Sequence, residues 1–224
     1  MLAGDKERAG SADALSSLCQ LYWYPLYAFV RRQGHKPEDA ADLTQGFFTR
    51  FLERNDVAAA RQERGRFRSY LLACMKHYLA NEWDRTRAQK RGGGKSPVSI
   101  DAMVAEERYG LEPGHDLTPE KLFDRRWALT LLDRVLTDLR HDLSGKGKRH
   151  VFEQLKPFIT NDGEVDERRR AAEALKMSEG AFNVALHRLR KRYRELLRKH
   201  IADTVRDEKD VDDEIRDLFA ALGT

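Results

Sequence analysis

Apolar side chains recur every three or four residues through most of this chain, and no segment alternates apolar and polar residues as a half-buried strand would. This spacing is typical of helices that bury one face. It therefore predicts an all-α fold. The segments that show it are 11–33, 38–54, 65–91, 119–143, 148–159, 165–175 and 178–204.

The helical spacing stops between Gly92 and Pro119, where "GGGKSPVSIDAMVAEERYGLEPGHDLTP" mixes glycines and prolines with alternating charges. We interpret 92–118 as a linker. It divides the chain into two small helical domains, 1–91 and 119–204, and a tail at 205–224 follows them.

Composition excludes several classes of protein. No stretch reaches the roughly 20 consecutive apolar residues of a membrane span, and "MLAGDKERAG" is too charged for a signal peptide, so we expect a cytoplasmic protein with no membrane partner. Cys19 and Cys74 lie far apart without a histidine cluster, which indicates no metal site. There is no phosphate loop or nucleophile motif, so we expect no catalytic residue and no cofactor.

The helix predicted at 65–91 ends in a basic run in which aromatic and cationic residues interleave. Stacked aromatic rings and cations are the means by which proteins hold single-stranded nucleic acid. Helical spacing also places Phe67, Leu71 and Tyr78 in one core stripe, which leaves Trp83 and the cations as the better candidates. The candidate residues are Lys76, His77, Asn81, Trp83, Arg85, Arg87, Lys90 and Arg91.

The segments 165–175 and 178–204 are joined by the tight "LKMS", a spacing typical of a helix-turn-helix. Ser178 can cap the second helix, and polar residues followed by cations suit base edges and phosphates of duplex DNA. A basic helix that merely faces solvent is the alternative. The candidate residues are Ser178, Glu179, Gly180, Asn183, His187, Arg188, Arg190 and Lys191.

Three stretches, taken in order, resemble an extracytoplasmic-function sigma factor of bacterial RNA polymerase. "DAADLTQGFF" is similar to the acidic "DAEDLVQEVF" helix of that family, and "FRSYLLACMKH" is similar to its "FRAWLYRIARN" helix. "GAFNVALHRLRKRY" is similar to its "GTVKSRLHRARKRL" helix. The resemblance covers nearly the whole chain apart from 92–118 and the last twenty or so residues.

The resemblance implies the partners and the role of each domain. The first domain docks on the clamp of core RNA polymerase and holds the melted minus-ten strand. The second reads the minus-thirty-five element as duplex, near the flap. Residues carried over to the polymerase-docking helix are Asp39, Asp42, Gln45 and Phe48. Helical spacing also places Phe48 with Phe47 and Phe51 on the buried face of that helix.

The docking helix departs from the family pattern at Ala41 and Gly46, where the family carries acids. Phosphorylation of Thr44 or Thr49 by a Ser/Thr kinase would restore about −1.5 to −2 charges there. An ordinary helix-surface role for both hydroxyls is the alternative. An anti-sigma factor is a further candidate partner.

The tail at 205–224 is acidic, yet its apolar residues repeat at helical spacing, which predicts a short amphipathic helix. We expect this helix to pack on the second domain with its acids near the cations there, where it competes with DNA or simply caps the core. The apolar residues are Val211, Ile215, Leu218, Phe219 and Leu222.

Two other functions fit the same sequence. An autonomous helix-turn-helix regulator would need only the second half of the chain, and it would dimerise to match paired half-sites. A helical adaptor would use the basic faces for acidic protein partners. Its DNA affinity would be absent or nearly independent of salt.

Overall fold

The structure is a computed structural model that describes residues 19–53, 66–88, 100–111 and 117–223, without the side chains of 86–88 and 100–102. Within these ranges the chain is helical and contains no strand, so the all-α prediction is confirmed for the described residues. An isolated antiparallel bridge joins Arg66 and Val205.

The helices follow one another in the order that the apolar spacing predicts, with an additional helix inside the predicted linker. They are α1 (19–32), α2 (Pro37–Glu53), α3 (Phe67–Ala88), α4 (Ile100–Gly110), α5 (Pro119–Ser144), α6 (Arg149–Leu155), α7 (Val165–Ala174), α8 (Glu179–Ala202) and α9 (Val211–Leu222). Short 3-10 turns lie at Lys156–Phe158 and Glu208–Asp210.

The described residues fall into two compact units, one within Met1–Thr130 together with Thr204–Thr224, the other Leu131–Asp203. The boundary between them lies inside α5, and the C-terminal segment belongs to the first unit. The sequence pattern predicts neither feature. At the boundary, α5 keeps its helical spacing without a break.

Aromatic side chains form the core of the first unit. Tyr22 and Phe67 meet edge to face with their ring centres 5.4 Å apart, and Trp127 is fully buried. Removing a buried ring of this size costs about 3–5 kcal/mol, so these contacts fix α1, α3 and the first half of α5 together. Fully buried members are Tyr22, Tyr27, Phe29, Leu71, Phe123 and Trp127.

Helix α4 occupies part of the predicted linker. Glu106 accepts hydrogen bonds from the Tyr27 hydroxyl at 2.6 Å and from Arg31 Nη2 at 2.7 Å, and the Arg31 guanidinium lies 4.8 Å from the centre of the Tyr109 ring. The hydrogen bonds from Arg31 hold the pKa of Glu106 below its usual range. The sequence did not predict α4, because polar contacts rather than a repeating apolar stripe hold it in place.

Helix α9 confirms the predicted amphipathic helix but packs in the first unit, so the prediction that it packs on the second domain is wrong. Its fully buried Glu214 accepts hydrogen bonds from Arg66 Nε at 2.8 Å and Arg68 Nε at 2.7 Å. Asp217 pairs with the same two arginines, and Arg68 also pairs with Asp124. The acids of α9 thus pair with buried or partly buried guanidinium groups of the first unit rather than with the exposed cations of α8.

The second unit packs α6, α7 and α8 around a smaller core. Phe158 and Phe182 meet edge to face at 5.7 Å, and Leu186 and Leu189 continue the buried stripe of α8. Gly163 has a φ of +61°, and a Cβ there would lie 2.6 Å from the Phe158 ring, so this turn requires glycine.

A tight turn at 175–178 connects α7 to α8. Lys176 adopts a left-handed φ of 54°, and the Met177 N–H donates to the Ala172 carbonyl at 2.9 Å. The Ser178 Oγ accepts a hydrogen bond from the Ala181 N–H at 3.3 Å, which confirms the predicted cap. The turn and the cap together fix where α8 begins.

Candidate nucleic-acid interfaces

The polymerase-docking candidates on α2 separate into exposed and buried residues. Asp39, Asp42 and Gln45 are exposed, and we name them the docking face. Phe48 is only 4% exposed and lies against Phe47, so its prediction as a docking residue is wrong. The register of α2 turns Phe48 into the core.

The two threonines of α2 also differ. Thr44 is fully buried and donates its hydroxyl to the Ala40 carbonyl at 2.7 Å, so it is closed to a kinase in the folded chain, and the prediction of Thr44 as a phosphorylation site is wrong. Thr49 is exposed and donates to the Gln45 carbonyl at 3.1 Å. Only Thr49 remains a candidate for modification.

Gly46 stands where the family pattern has an acid, and Tyr78 lies against it. A Cβ at this position would lie 2.6 Å from the Tyr78 hydroxyl oxygen. Burial raises the pKa of Tyr78, whose ring meets Phe47 at 5.8 Å. A surface groove beside this contact is lined by Asp42, Gln45, Gly46, Thr49, Arg50, Glu53, Tyr78, Glu82 and Arg85.

Helix α3 presents most of the strand-binding candidates on its surface. His77 and Asn81 are exposed, Trp83 is 63% exposed, and Arg85 is exposed while paired with Glu82 at 2.9 Å. We name these four residues collectively the strand face; helical geometry places His77, Asn81 and Arg85 on one side of α3 and Trp83 on the other. Phe67, Tyr70 and Tyr78 are partly buried against other rings, as the core alternative predicts.

Of the other strand-binding candidates, only Lys76 has a described side chain. Lys76 pairs with Glu120 at 2.7 Å, and its ammonium lies 5.9 Å from the centre of the Phe29 ring. The hydrogen bond from Lys76 holds the pKa of Glu120 below its usual range. Arg87 lies in α3 without a described side chain, and Lys90 and Arg91 lie outside the described residues.

Helix α8 buries one side and exposes the other along its length. The exposed side begins two residues after the Ser178 cap with a glycine that has open space around it, and it continues into cations. Its residues are Gly180, Asn183, Val184, His187, Arg188 and Lys191, which we name the duplex face. Glu179 is also exposed, at the first position of the helix.

The cations of α8 are used in two ways. Arg190 donates to the Phe158 carbonyl at 2.6 Å and pairs with Asp162 at 2.9 Å, so it holds the turn before α7 and does not belong to the duplex face. Arg192 pairs with Asp142, and that hydrogen bond raises its pKa. Arg188 and Lys191, by contrast, form no ion pair within the described ranges.

The residues that support these faces are not among the candidates that the sequence predicts. Arg168 of α7 donates a hydrogen bond to the Asn183 side-chain oxygen, which links the first helix of the pair to the duplex face. Arg68, which is 6% exposed, holds the start of α3 against α9 and lies 4.6 Å from the Trp127 ring centre. Neither role has a signal in the sequence, because each depends on a residue distant along the chain.

No family model, no curated protein and no solved structure matches this chain. In the described part, each helix is too short or too polar to cross a membrane. No group of three histidine, cysteine or acidic side chains comes together there as metal ligands would.

Proposed function

We propose that this chain is a sigma factor of the extracytoplasmic-function type, which directs bacterial core RNA polymerase to promoters and promotes DNA melting. In this proposal the docking face binds the polymerase clamp, and the strand face holds the minus-ten strand. Helices α7 and α8 act as a helix-turn-helix that reads the minus-thirty-five duplex, near the flap. The protein acts in the cytoplasm, without a cofactor.

The observation that carries the proposal is the duplex face. Gly180 lets a partner approach the α8 backbone, because it has no side chain and nothing lies within 4 Å of its Cβ position. Asn183 and His187 follow with groups that bond to base edges, and Arg188 and Lys191 follow with charges suited to phosphates. Polar readers near the start of a helix and cations beyond them form the arrangement that a recognition helix needs in the major groove.

The first unit supports the same proposal through Trp83. A ring that is 63% exposed contributes little to packing, yet it lies on the same helix as the exposed Asn81 and Arg85. A base can stack on such a ring, an interaction worth about 1–3 kcal/mol per base, and the exposed cation of the same helix is available to the strand backbone. The acids of the docking face suit a basic protein surface.

Run-off transcription tests the proposal. Core polymerase transcribes genomic fragments of the source bacterium with the wild-type protein, without it, and with a variant that combines R188A and K191A. We expect transcription starts that need the wild-type protein and are weaker with the variant. R169A is the matched control, since Arg169 is exposed and pairs with Asp166 within α7.

The same experiment discriminates the second candidate, an autonomous helix-turn-helix regulator. One observation favours it: α7, α8 and the whole duplex face lie in the second unit, so duplex reading needs no residue of the first. Tight duplex binding by the free protein, as a dimer and without new starts, would replace the sigma-factor proposal with this one.

Regulation belongs to the same proposal. A phosphate on Thr49 would add about −1.5 to −2 charges beside the docking face, in a groove that Arg50 and Arg85 also line. A Ser/Thr kinase would then strengthen polymerase binding, and an anti-sigma factor would compete for the same face. We expect T49D to bind core polymerase more tightly than T49A. Equal affinities would remove Thr49 from the proposal.

A further inference from the structure

The duplex face contains a contact between two helices that bears on which base it reads. Asn183 is exposed on α8, and its side-chain oxygen accepts a hydrogen bond from Nη2 of Arg168 on α7. A carboxamide has an acceptor end and a donor end, whereas a guanidinium has donors only. The end of Asn183 that faces Arg168 is therefore its oxygen.

This orientation determines what Asn183 offers to DNA. Arg168 engages one of the two lone pairs of the oxygen and places a cation beside it, which disfavours a second donor such as adenine N6, whereas the NH₂ group stays open to a base edge. The usual pairing of asparagine with adenine needs both ends, because the oxygen accepts from N6 and the NH₂ donates to N7. Guanine presents two neighbouring acceptors, N7 and O6, and needs donors only.

We infer that Arg168 is a positioning residue that sets the base preference of Asn183, so that the chain reads guanine where a free asparagine would read adenine. This inference rests on the duplex reading in the proposed function. It goes beyond that function because it assigns a base to one residue and assigns the cause to a residue on another helix.

Neighbouring residues are consistent with this geometry. Gly180 lies about one turn before Asn183, has no side chain of its own and has open space around its Cβ position. Val184, next in sequence, is 51% exposed and offers only methyl groups, so it cannot supply a hydrogen bond to the same base edge. Asn183 is thus the residue that Arg168 orients, and its amide can form hydrogen bonds to a base edge in the first turns of this face.

The test is selection of duplexes from a randomised library by the full chain, with and without core polymerase, at low salt. N183A identifies the base pair that Asn183 reads, because the preference there disappears. We expect wild type to select guanine at that pair. R168A should shift the ratio of guanine to adenine by about tenfold or more towards adenine, since a freed amide makes the two-ended contact. R168K retains a donor-only cation and should preserve much of the guanine preference.

R169A is the matched control, because it removes the same charge from the same helix but leaves the contact to Asn183 in place. Only R168A should change the preferred base. The inference is overturned if wild type selects adenine at the Asn183 position, or if R168A and R169A select the same sites.

Failure of the proposed function gives a different result. A chain that supports no transcription starts but still selects guanine through Asn183 contradicts the sigma-factor role and leaves the inference standing. A chain that selects no duplex under either condition overturns both.

Discussion

The arginines of the first unit and the cations of α8 look alike in the sequence but are used differently. Arg68 is 6% exposed and forms ion pairs with Glu214, Asp124 and Asp217, so its charge is neutralised within the protein. Arg188 and Lys191 are exposed and form no ion pair with a described residue. A count of positive charge therefore overestimates the cations available to a ligand in the first unit, and in α8 it includes Arg190 and Arg192, which are paired, beside Arg188 and Lys191.

This difference shows that a cation can be assigned to a ligand only after its ion pairs within the protein are known. In a buried pair, each ion has lost its water and depends on the other, so removing one partner is costly. An exposed cation keeps its water, and its removal leaves the fold unchanged. The two groups should consequently respond to mutation in opposite ways, one in stability and the other in binding.

The largest effect is expected from E214A, which leaves the buried Arg68 guanidinium short of its main partner. Breaking a buried ion pair costs about 3–5 kcal/mol, so the free energy of unfolding of the first unit should fall by about that amount. Urea denaturation followed by circular dichroism measures it. D213A is the control, since Asp213 is exposed and pairs with Arg216 on the same helix. Equal losses for the two variants would contradict the comparison.

A smaller effect is expected from W83A, and it should appear in binding rather than stability. Losing one stacking ring should weaken affinity for single-stranded DNA by about 1–3 kcal/mol. Fluorescence anisotropy with a labelled minus-ten strand, bound to the polymerase complex, gives the affinity. F219A removes a ring of comparable exposure, 53%, from α9 and should change that affinity little. The assignment of the strand face is wrong if F219A weakens binding as much as W83A.

K191A and R192A compare a cation that forms no ion pair with a described residue and a paired cation on the same helix. Lysine 191 should contribute about one phosphate contact, so K191A should reduce the slope of log affinity against log salt by about 1. R192A should reduce it less, because Asp142 already offsets the charge of Arg192 at 2.6 Å. Duplex titrations at several salt concentrations provide the slopes. A larger change with R192A would reverse the order that the comparison predicts.

The smallest effect concerns pH and α4. The pKa of Glu106 is lower in the folded chain than in the unfolded one, where it is near 4.5. Its contact with Arg31 therefore stabilises the fold above that value and is lost as the pH falls through the lower, folded pKa. Partial exposure limits the contribution to below about 1 kcal/mol.

E106Q tests this contact, because it removes the ionisable group with little change in shape. Between about pH 7 and about pH 3, the wild type should lose more stability than E106Q does. E107Q makes the same change at the exposed neighbouring position. Parallel pH profiles for wild type and E106Q would show that the ion pair contributes nothing.

Local signals in the sequence predicted local structure well. The spacing of apolar residues gave α2, α5 and α8 close to their observed ends, and Ser178 caps α8 as predicted. At Phe48 the helical spacing and the family resemblance disagreed, and the structure agrees with the spacing. The face on which a residue lies follows from its position along the helix, whereas a role inferred from a family resemblance does not.

Contacts between distant residues could not be predicted. Arg68 and Glu214 are far apart in sequence, and nothing in either segment indicates a partner. Arg168 and Asn183 are closer, but their contact depends on how α7 crosses α8. The same holds for the close approach of Gly46 to the Tyr78 hydroxyl, which lies on another helix.

The return of α9 to the first unit has a consequence for the order of synthesis. A ribosome releases α1, α2 and α3 long before Glu214, so Arg68 must wait for its partner until nearly the whole chain has emerged. The second unit has all its residues, Leu131–Asp203, available earlier. The domain that is made first is thus the one that is completed last, and during translation the second unit is free to fold ahead of it.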